Sequence, residues 1–190
     1  MSRPVEYMRA DAARNVQRLI EVAAGLLSEN PSAGMADLAS EAGISRATVY
    51  RHFATREALI DAIAREASAQ AERSVAETRL DEGSATEALA RLVGAWLDLA
   101  DRFAFLQLAP PSLPDEDREH RRRVLREPLI ELIRRGQAAG EFSAAVSPDW
   151  GARVVGALVQ AGARAVGDGT LSRDAAGEAV VNTLLGGLRP

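Results

Sequence analysis

The sequence predicts an all-helical protein of about nine helices, and three observations support that fold class. Apolar residues recur every three or four positions along most of the 190-residue chain, as on one face of a helix. Ala and Leu, both strong helix formers, are abundant, whereas aromatic residues make up only 4 % of the chain. No run of β-branched residues alternates with polar ones, so no segment predicts a strand.

The first three helices are expected in the first quarter of the chain, over about residues 10–28, 35–42 and 46–52. The first should end at Asn30, because a residue that precedes proline is pushed out of the helical conformation. Gly43 stands where a left-handed C-terminal cap would end the second helix. Ser45 can cap the N-terminus of the third through its hydroxyl.

The rest of the chain predicts six further helices, separated by polar or proline-containing breaks. Thr55 can cap the first of them, which carries an apolar stripe from Leu59 to Val75. Pro128 should kink a long helix, and Gly140 should close it. After the helix that Thr55 caps, the others are expected over about 84–102, 104–109, from Ser112 or Asp115 to 138, over 148–166, and from the Ser172 cap to 187.

Composition excludes several classes of protein. The chain has no cysteine, which rules out disulfides, thiolate metal sites and cysteine nucleophiles. Its N-terminus has no apolar signal-like core, and no stretch reaches the roughly 18 apolar residues of a membrane span. We therefore expect a cytoplasmic protein with no membrane partner. The net charge of −4 does not favour binding to nucleic acid, so the distribution of charge must decide that question.

The spacing of Ala39, Gly43 and Val49 is typical of a helix-turn-helix. Ala39 leaves room for close helix contact, Gly43 takes the strained turn conformation, and Val49 packs the third helix back. Leu38 and Ile44 complete a small core between the helices. Other helical bundles contain similar turns, so the spacing alone is a moderate signal.

The predicted outer face of the third helix is basic. Between Gly43 and Arg56 the chain has three arginines and no acidic residue, so this stretch carries a charge of +3 within an acidic protein. Such a patch is typical of phosphate binding, and Arg and Thr side chains can also read base edges in the major groove. The alternative is a solvated helix face with a chance excess of arginine.

The run AGISRATVYRHFATREAL at residues 42–59 resembles the signature of the TetR family around its recognition helix. Ile20, Ala23-Ala24 and Leu27 of the first helix also resemble the family pattern, so the resemblance covers about residues 10–60. It implies a helix-turn-helix DNA-binding domain over residues 1–55. A larger helical ligand-binding and dimerisation domain would then cover residues 56–190.

The resemblance also implies a role for each matched residue. Ser45, Arg46 and Thr48 would face the groove, with Arg46 and Thr48 as the base readers. Tyr50 and His52 would bind phosphates, although a lone histidine beside an aromatic residue is more often a packing or surface residue. Arg56 would clamp the DNA backbone.

The start of the second helix departs from the family pattern. The family usually has a threonine there, whereas this chain has Gly34, which can cap a helix but offers no hydroxyl to a phosphate. Ser32 is the alternative source of that hydroxyl.

The last two helices are expected to form a self-association surface. The helix over 148–166 is apolar on nearly every side, with small residues that permit close helix contact. The resemblance implies that these helices form a four-helix bundle with a second copy, while the alternative is a central core helix of a monomer. The expected interface residues are Trp150, Val154, Leu158, Gly162, Val180, Leu184 and Leu188.

A ligand cavity is expected between the middle helices. Arg102 and His120 are the polar groups that would orient a ligand, although the aromatic walls could instead be ordinary core. Arg121, Arg122 and Arg123 predict an exposed helix face, with an acidic effector bound there as the alternative. The expected lining residues are Trp96, Leu99, Arg102, Phe103, Phe105, His120, Leu125 and Leu129.

These observations together predict an effector-responsive regulator of transcription. It would bind a palindromic operator in double-stranded DNA as a homodimer and would be released by an unidentified small molecule, most simply as a repressor. We expect no catalytic residue, no metal and no cofactor.

An enzyme is the first alternative, yet the chain has only two histidines and no glycine-rich phosphate loop. The second is a helical adaptor that has lost DNA binding, which would not need Arg46, Thr48, Tyr50 and His52 together.

Overall fold

The computed structural model describes residues 3–103 and 114–188, and side chains of the first helix from residue 16 onward. The described residues contain helices and no strand, as the sequence predicts. The predicted short helix over 104–109 and Phe105 lie outside them. The eight helices are α1 (Arg3–Glu29), α2 (Met35–Glu41), α3 (Arg46–His52), α4 (Arg56–Glu77), α5 (Ala85–Arg102), α6 (Asp115–Ala138), α7 (Pro148–Gly167) and α8 (Arg173–Leu188).

Local signals set most helix ends. The Ser45 hydroxyl accepts a hydrogen bond from the backbone N–H of Thr48 at 3.1 Å, and the Ser147 hydroxyl caps α7 in the same way. Gly43 and Gly140 follow α2 and α6 with φ values of 65° and 72°, a region that favours glycine. α6 continues through Pro128 without interruption.

The first compact unit comprises residues 3–66 of the described chain. Its core is made of buried apolar side chains, and α2 packs against both α1 and α3. The first half of α4 also belongs to this unit, and Leu59 and Ile63 there are fully buried. The fully buried side chains of the unit include Leu27, Leu38, Val49, Leu59 and Ile63.

The second unit contains the remaining described residues, and α7 is its central helix. α7 packs against α5, α6 and α8, and α5 also packs against α6 and α8. Gly136 permits a close approach, since a Cβ built there would overlap the ring of Phe142. The fully buried side chains include Leu89, Leu92, Val93, Ile133 and Val155.

Long-range polar contacts fix the helix ends of this second unit. The Glu141 carboxylate accepts hydrogen bonds from the N–H groups of Ala85 and Thr86 at 3.0 and 2.9 Å, which caps α5. These hydrogen bonds lower the pKa of Glu141. Arg135 donates to the carbonyls of Gly83 and Leu80, both at 2.7 Å. The start of α5 is therefore tied to the end of α6 and the loop that follows it.

In the described part of the chain, no helix combines the length and the apolar character needed to cross a bilayer. Residues 3–103 and 114–188 also contain no group of three or more His, Cys, Asp or Glu side chains that could hold a metal ion.

Candidate nucleic-acid interface and ligand cavity

The helix-turn-helix is built around a tight turn between α2 and α3. The backbone N–H of Gly43 donates to the Ser40 carbonyl at 3.1 Å, and that of Ile44 donates to the Ala39 carbonyl at 3.0 Å. Ala39 is 3 % exposed and Val49 is fully buried, so the two helices meet at the positions that the spacing predicts.

α3 presents an exposed basic face on this scaffold. Arg46, Arg51 and His52 are exposed, and Tyr50 keeps 52 % of its surface in solvent although it is a large aromatic residue. Thr48 is half-buried, and its hydroxyl lies 2.9 Å from the Ser45 hydroxyl. The face therefore offers guanidinium, phenol and imidazole donors that no acidic residue of α3 neutralises.

The start of α2 is capped without a hydroxyl. The Gly34 N–H donates to Oδ2 of Asp37 at 2.8 Å, and the Asp37 N–H, whose hydrogen bond a threonine hydroxyl would accept, donates to the Gly34 carbonyl at 3.1 Å. Ser32 lies in the preceding turn, where its hydroxyl is 2.7 Å from Oδ1 of Asn30. Local hydrogen bonds thus accommodate the departure from the family pattern at this helix start.

Arg56 braces the helix-turn-helix from the first turn of α4. Its Nη2 donates to the Pro31 carbonyl at 2.6 Å, and its Nε donates to the Ala33 carbonyl at 3.3 Å. The side chain thereby fixes the segment that leads into α2. The sequence pattern does not predict this contact, because it joins residues 25 positions apart in the chain.

A cavity of about 570 Å³ lies in the second unit, within the range of small-molecule sites. Helices α4, α5, α6 and α7 all contribute to its walls. Five of the eight lining residues predicted from the sequence are among the residues that form it. These are Trp96, Leu99, Phe103, Leu125 and Leu129.

The two polar residues that the sequence predicts for the cavity lie elsewhere. Arg102 is exposed, with its guanidinium 5.5 Å from the centre of the Phe103 ring and Nη1 3.4 Å from Oε1 of Gln70. His120 is also exposed, with Nε2 4.0 Å from the Glu72 carboxylate. Neither side chain is among the wall residues, because both point along the protein surface toward polar partners on α4.

Other polar residues line the cavity instead: Arg122, Arg126, Arg153 and Gln160. Of these, the sequence had singled out only Arg122, as part of an exposed helix face. Arg126 follows Leu125, and Arg153 and Gln160 flank the small residue Gly156. Their place in the wall depends on how α6 and α7 are rotated against each other, which single-helix periodicity does not define.

The structure corrects part of the predicted self-association surface. Gly162, Val180 and Leu184 are buried within the chain itself, and a Cβ built on Gly162 would lie 3.0 Å from Val180 and 3.1 Å from Leu97. They form the contact of α7 with α5 and α8, so they are not available to a second copy.

The other predicted interface residues remain accessible where their side chains are described. Trp150 is 60 % exposed, and Val154 and Leu158 are half-buried. Leu188 ends α8, and its side chain lies outside the described residues. The accessible part of the predicted surface is therefore on α7.

Comparison with known proteins supports the helix-turn-helix assignment. The model of bacterial regulatory proteins of the tetR family matches residues 19–63. The HTH-type transcriptional repressor LfrR of Mycolicibacterium smegmatis is 29 % identical over 175 residues, which cover 92 % of this chain and 90 % of LfrR. The HTH-type transcriptional regulator NfxB of Pseudomonas aeruginosa is 29 % identical over 128 residues, 66 % of this chain and 68 % of NfxB.

Solved structures extend the likeness to the whole fold. LfrR from Mycobacterium smegmatis in complex with proflavine matches with a TM-score of 0.78 and 28 % identity, covering 93 % of this chain and 98 % of that one. The TetR family regulator PfmR from Thermus thermophilus matches with a TM-score of 0.73 and 26 % identity, covering 91 % and 100 %. Residues 19–63 thus match the model of bacterial regulatory proteins of the tetR family, and the chain is similar along nearly its whole length to transcriptional regulators of that family.

Proposed function

We propose that the protein is a repressor that binds a palindromic operator as a homodimer and releases it when a small molecule occupies the cavity of the second unit. The observation that carries the DNA-binding part is the exposed, acid-free basic face of α3 on a well-packed helix-turn-helix. Its relative LfrR is a transcriptional repressor, which supports the direction of regulation.

In this proposal α3 enters the major groove with Arg46 as the principal base reader. The Thr48 hydroxyl is already within hydrogen-bond distance of Ser45, so Thr48 reads bases through its methyl group or its remaining hydrogen bond. Tyr50 and His52 donate to phosphates, which positions α3 without reading sequence.

We assign Arg56 to positioning rather than to the DNA backbone. Its hydrogen bonds to Pro31 and Ala33 hold the segment before α2, so its guanidinium is already engaged within the protein. Loss of this side chain would loosen the entry to α2 and weaken DNA binding indirectly.

The second copy would pack on the outer face of α7. Exposed and half-buried residues there follow helical spacing and carry no charge. A two-fold dimer through this face would repeat each contact symmetrically and present two reading helices to half-sites about 34–36 Å apart. The residues of this face are Trp150, Val154, Ala157, Leu158 and Ala161.

The effector would act by shifting a conformational equilibrium. In one conformation of the dimer the two α3 helices fit the operator half-sites, and in the other they do not. A molecule that binds the second conformation more tightly lowers operator occupancy, to an extent set by its difference in affinity for the two. We propose that α4 couples the cavity to the DNA-binding unit, because its first residues belong to that unit while Ala67 and Ala71 line the cavity.

Fluorescence anisotropy with labelled DNA from the region flanking the protein's own gene tests this function. We expect salt-dependent binding, an affinity loss of about tenfold or more for Arg46→Ala, and a smaller loss for Tyr50→Ala. Arg134→Ala is the matched control, because it removes an exposed helical arginine from the second unit. Unchanged affinity and salt dependence in both α3 variants would contradict the assignment of α3, and a helical adaptor would then be the better description.

A further inference from the structure

The charge on the cavity wall is of one sign. Three arginines, Arg122, Arg126 and Arg153, belong to the wall, and no carboxylate is among the described residues that form it. The remaining wall is apolar or uncharged, with Trp96 and Phe103 as its aromatic members. A ligand in this cavity therefore meets both apolar surface and guanidinium groups.

The acidic partners of these arginines stand outside the cavity. Asp149 lies 2.5 Å from Nη2 of Arg126 and 3.8 Å from Nε of Arg153, and Glu119 lies 2.8 Å from Nη2 of Arg122. Both carboxylates line a neighbouring depression of about 270 Å³ that shares the three arginines. Both side chains are more than 60 % exposed, so water weakens their hold on the arginines.

Two donors at the cavity wall are buried without an acceptor. Among the described residues, neither the indole N–H of Trp96 nor Nε of Arg126 has a hydrogen-bond partner. The Arg126 side chain is only 16 % exposed. Buried donors normally have partners, so these two groups mark a place where an acceptor from outside the described residues would be stabilised.

We propose that the effector is an amphipathic anion, with an apolar body against Trp96 and Phe103 and an acidic group at Arg126 and Arg153. This inference rests on the proposed function, since it names the chemical class of the molecule that occupies the effector cavity. The anion would compete with Asp149 for the guanidinium groups and would supply the missing acceptor. A cation would be repelled by three guanidinium groups, of which that of Arg126 is largely buried and therefore least screened by water.

Two fluorescent probes with nearly the same aromatic skeleton separate charge from apolar character. 8-Anilinonaphthalene-1-sulfonate carries a sulfonate, whereas N-phenyl-1-naphthylamine is neutral. We expect the full-length protein to bind the sulfonate at least about tenfold more tightly than the neutral probe, as one charge-assisted hydrogen bond allows. Proflavine, bound in the LfrR structure, is the cationic probe and should bind more weakly than the sulfonate.

Substitutions of the two partners of the Arg126–Asp149 ion pair should change the affinity for the sulfonate probe in opposite directions. Arg126→Gln should weaken binding of the sulfonate about tenfold and leave binding of the neutral probe unchanged. Asp149→Asn should instead strengthen binding of the sulfonate about three- to tenfold. A purely structural role for the pair would weaken binding in both variants. Arg134→Gln, on the same helix but outside this cavity, is the control and should change neither probe.

Gly156→Leu locates the binding site. A Cβ at Gly156 meets no atom within 4 Å, so the larger side chain can fill the cavity without a clash and should abolish binding of both probes. Equal affinity for the two probes, tighter binding of proflavine, or sulfonate binding that survives Gly156→Leu would overturn the inference.

Operator binding, measured on the same samples, keeps the two proposals apart. If the protein binds operator DNA but shows no preference for the sulfonate over the neutral probe, only the proposal of an anionic effector is refuted. Failure to bind any flanking DNA with an intact probe pattern refutes the regulatory function alone.

Discussion

The two units of the molecule present their proposed binding groups in opposite ways. In the first unit Arg46, Tyr50 and His52 project from a short exposed helix, and local caps such as Ser45 set its geometry. In the second unit the binding groups line an open cavity between packed helices, and contacts between residues more than 50 positions apart, such as Glu141 with Ala85, fix the surrounding helices. The proposed readers of DNA can therefore change without disturbing a core, whereas the cavity walls are themselves part of one.

The largest expected effect is the loss of stability on truncating a core side chain, and it tests whether the core of each unit supports only the binding site of that unit. Leu38→Ala and Leu89→Ala remove fully buried side chains from the first and second units, and each should destabilise its unit by about 2–5 kcal/mol. Thermal unfolding followed by circular dichroism measures the loss. Leu38→Ala should reduce operator binding more than probe binding, and Leu89→Ala should do the reverse. The same pattern of loss in both variants would refute this division.

Replacing one glycine by alanine in each unit should change stability by an intermediate amount, and in opposite directions in the two units. Gly136→Ala would place a methyl group against the Phe142 ring and 2.9 Å from Cβ of Ala85, so it should destabilise the second unit by about 1–3 kcal/mol. Gly25→Ala, in the interior of α1, meets no atom within 4 Å and should stabilise the first unit by up to about 1 kcal/mol. Melting temperatures that shift in the same direction would contradict this reading of the packing.

The smallest expected effect concerns the remote cap of α5. Glu141→Gln keeps the shape of the side chain but removes the charge that accepts hydrogen bonds from Ala85 and Thr86, at a cost of about 1 kcal/mol near pH 7.

The effect of Glu141→Gln should depend on pH. The folded protein lowers the pKa of Glu141 below its ordinary value near 4.5, so the stabilisation is present above that pH. It is lost as the pH falls through the lowered pKa, and the difference in melting temperature between the two proteins should then shrink. A difference that stays constant from about pH 7 to below the ordinary glutamate pKa would argue against the charged cap. Ser147→Ala, the loss of an uncharged cap on α7, is the control and should show little dependence on pH.

Sequence reasoning predicted best where the determinants are local. The helix-turn-helix follows from Ala39, Gly43 and Val49, and helix ends follow from caps such as Ser45 and from Pro31. These signals act within a few residues, so the periodicity of one segment is sufficient to read them.

The cavity and the interface depend on how helices are rotated against each other, and there the predictions were incomplete. α7 is apolar on nearly every side, so its pattern does not distinguish Gly162, which faces α5 and α8, from Trp150, which faces solvent. Arg126 and Arg153 are ordinary surface residues by their helical position and become wall residues only through packing. The chemistry of His120 predicts a polar cavity residue, yet its exposed position on α6 places its imidazole beside Glu72.

The described hydrogen bonds of Glu141 and Arg135 lie at the beginning of α5. The cavity is lined by Trp96 to Phe103 near the other end of the same helix, about 15–27 Å farther along the axis. A substitution that weakens these hydrogen bonds therefore acts on the stability of the second unit without altering a wall residue. Stability and ligand affinity are thus controlled from opposite ends of one helix, so either property can change while the other is kept.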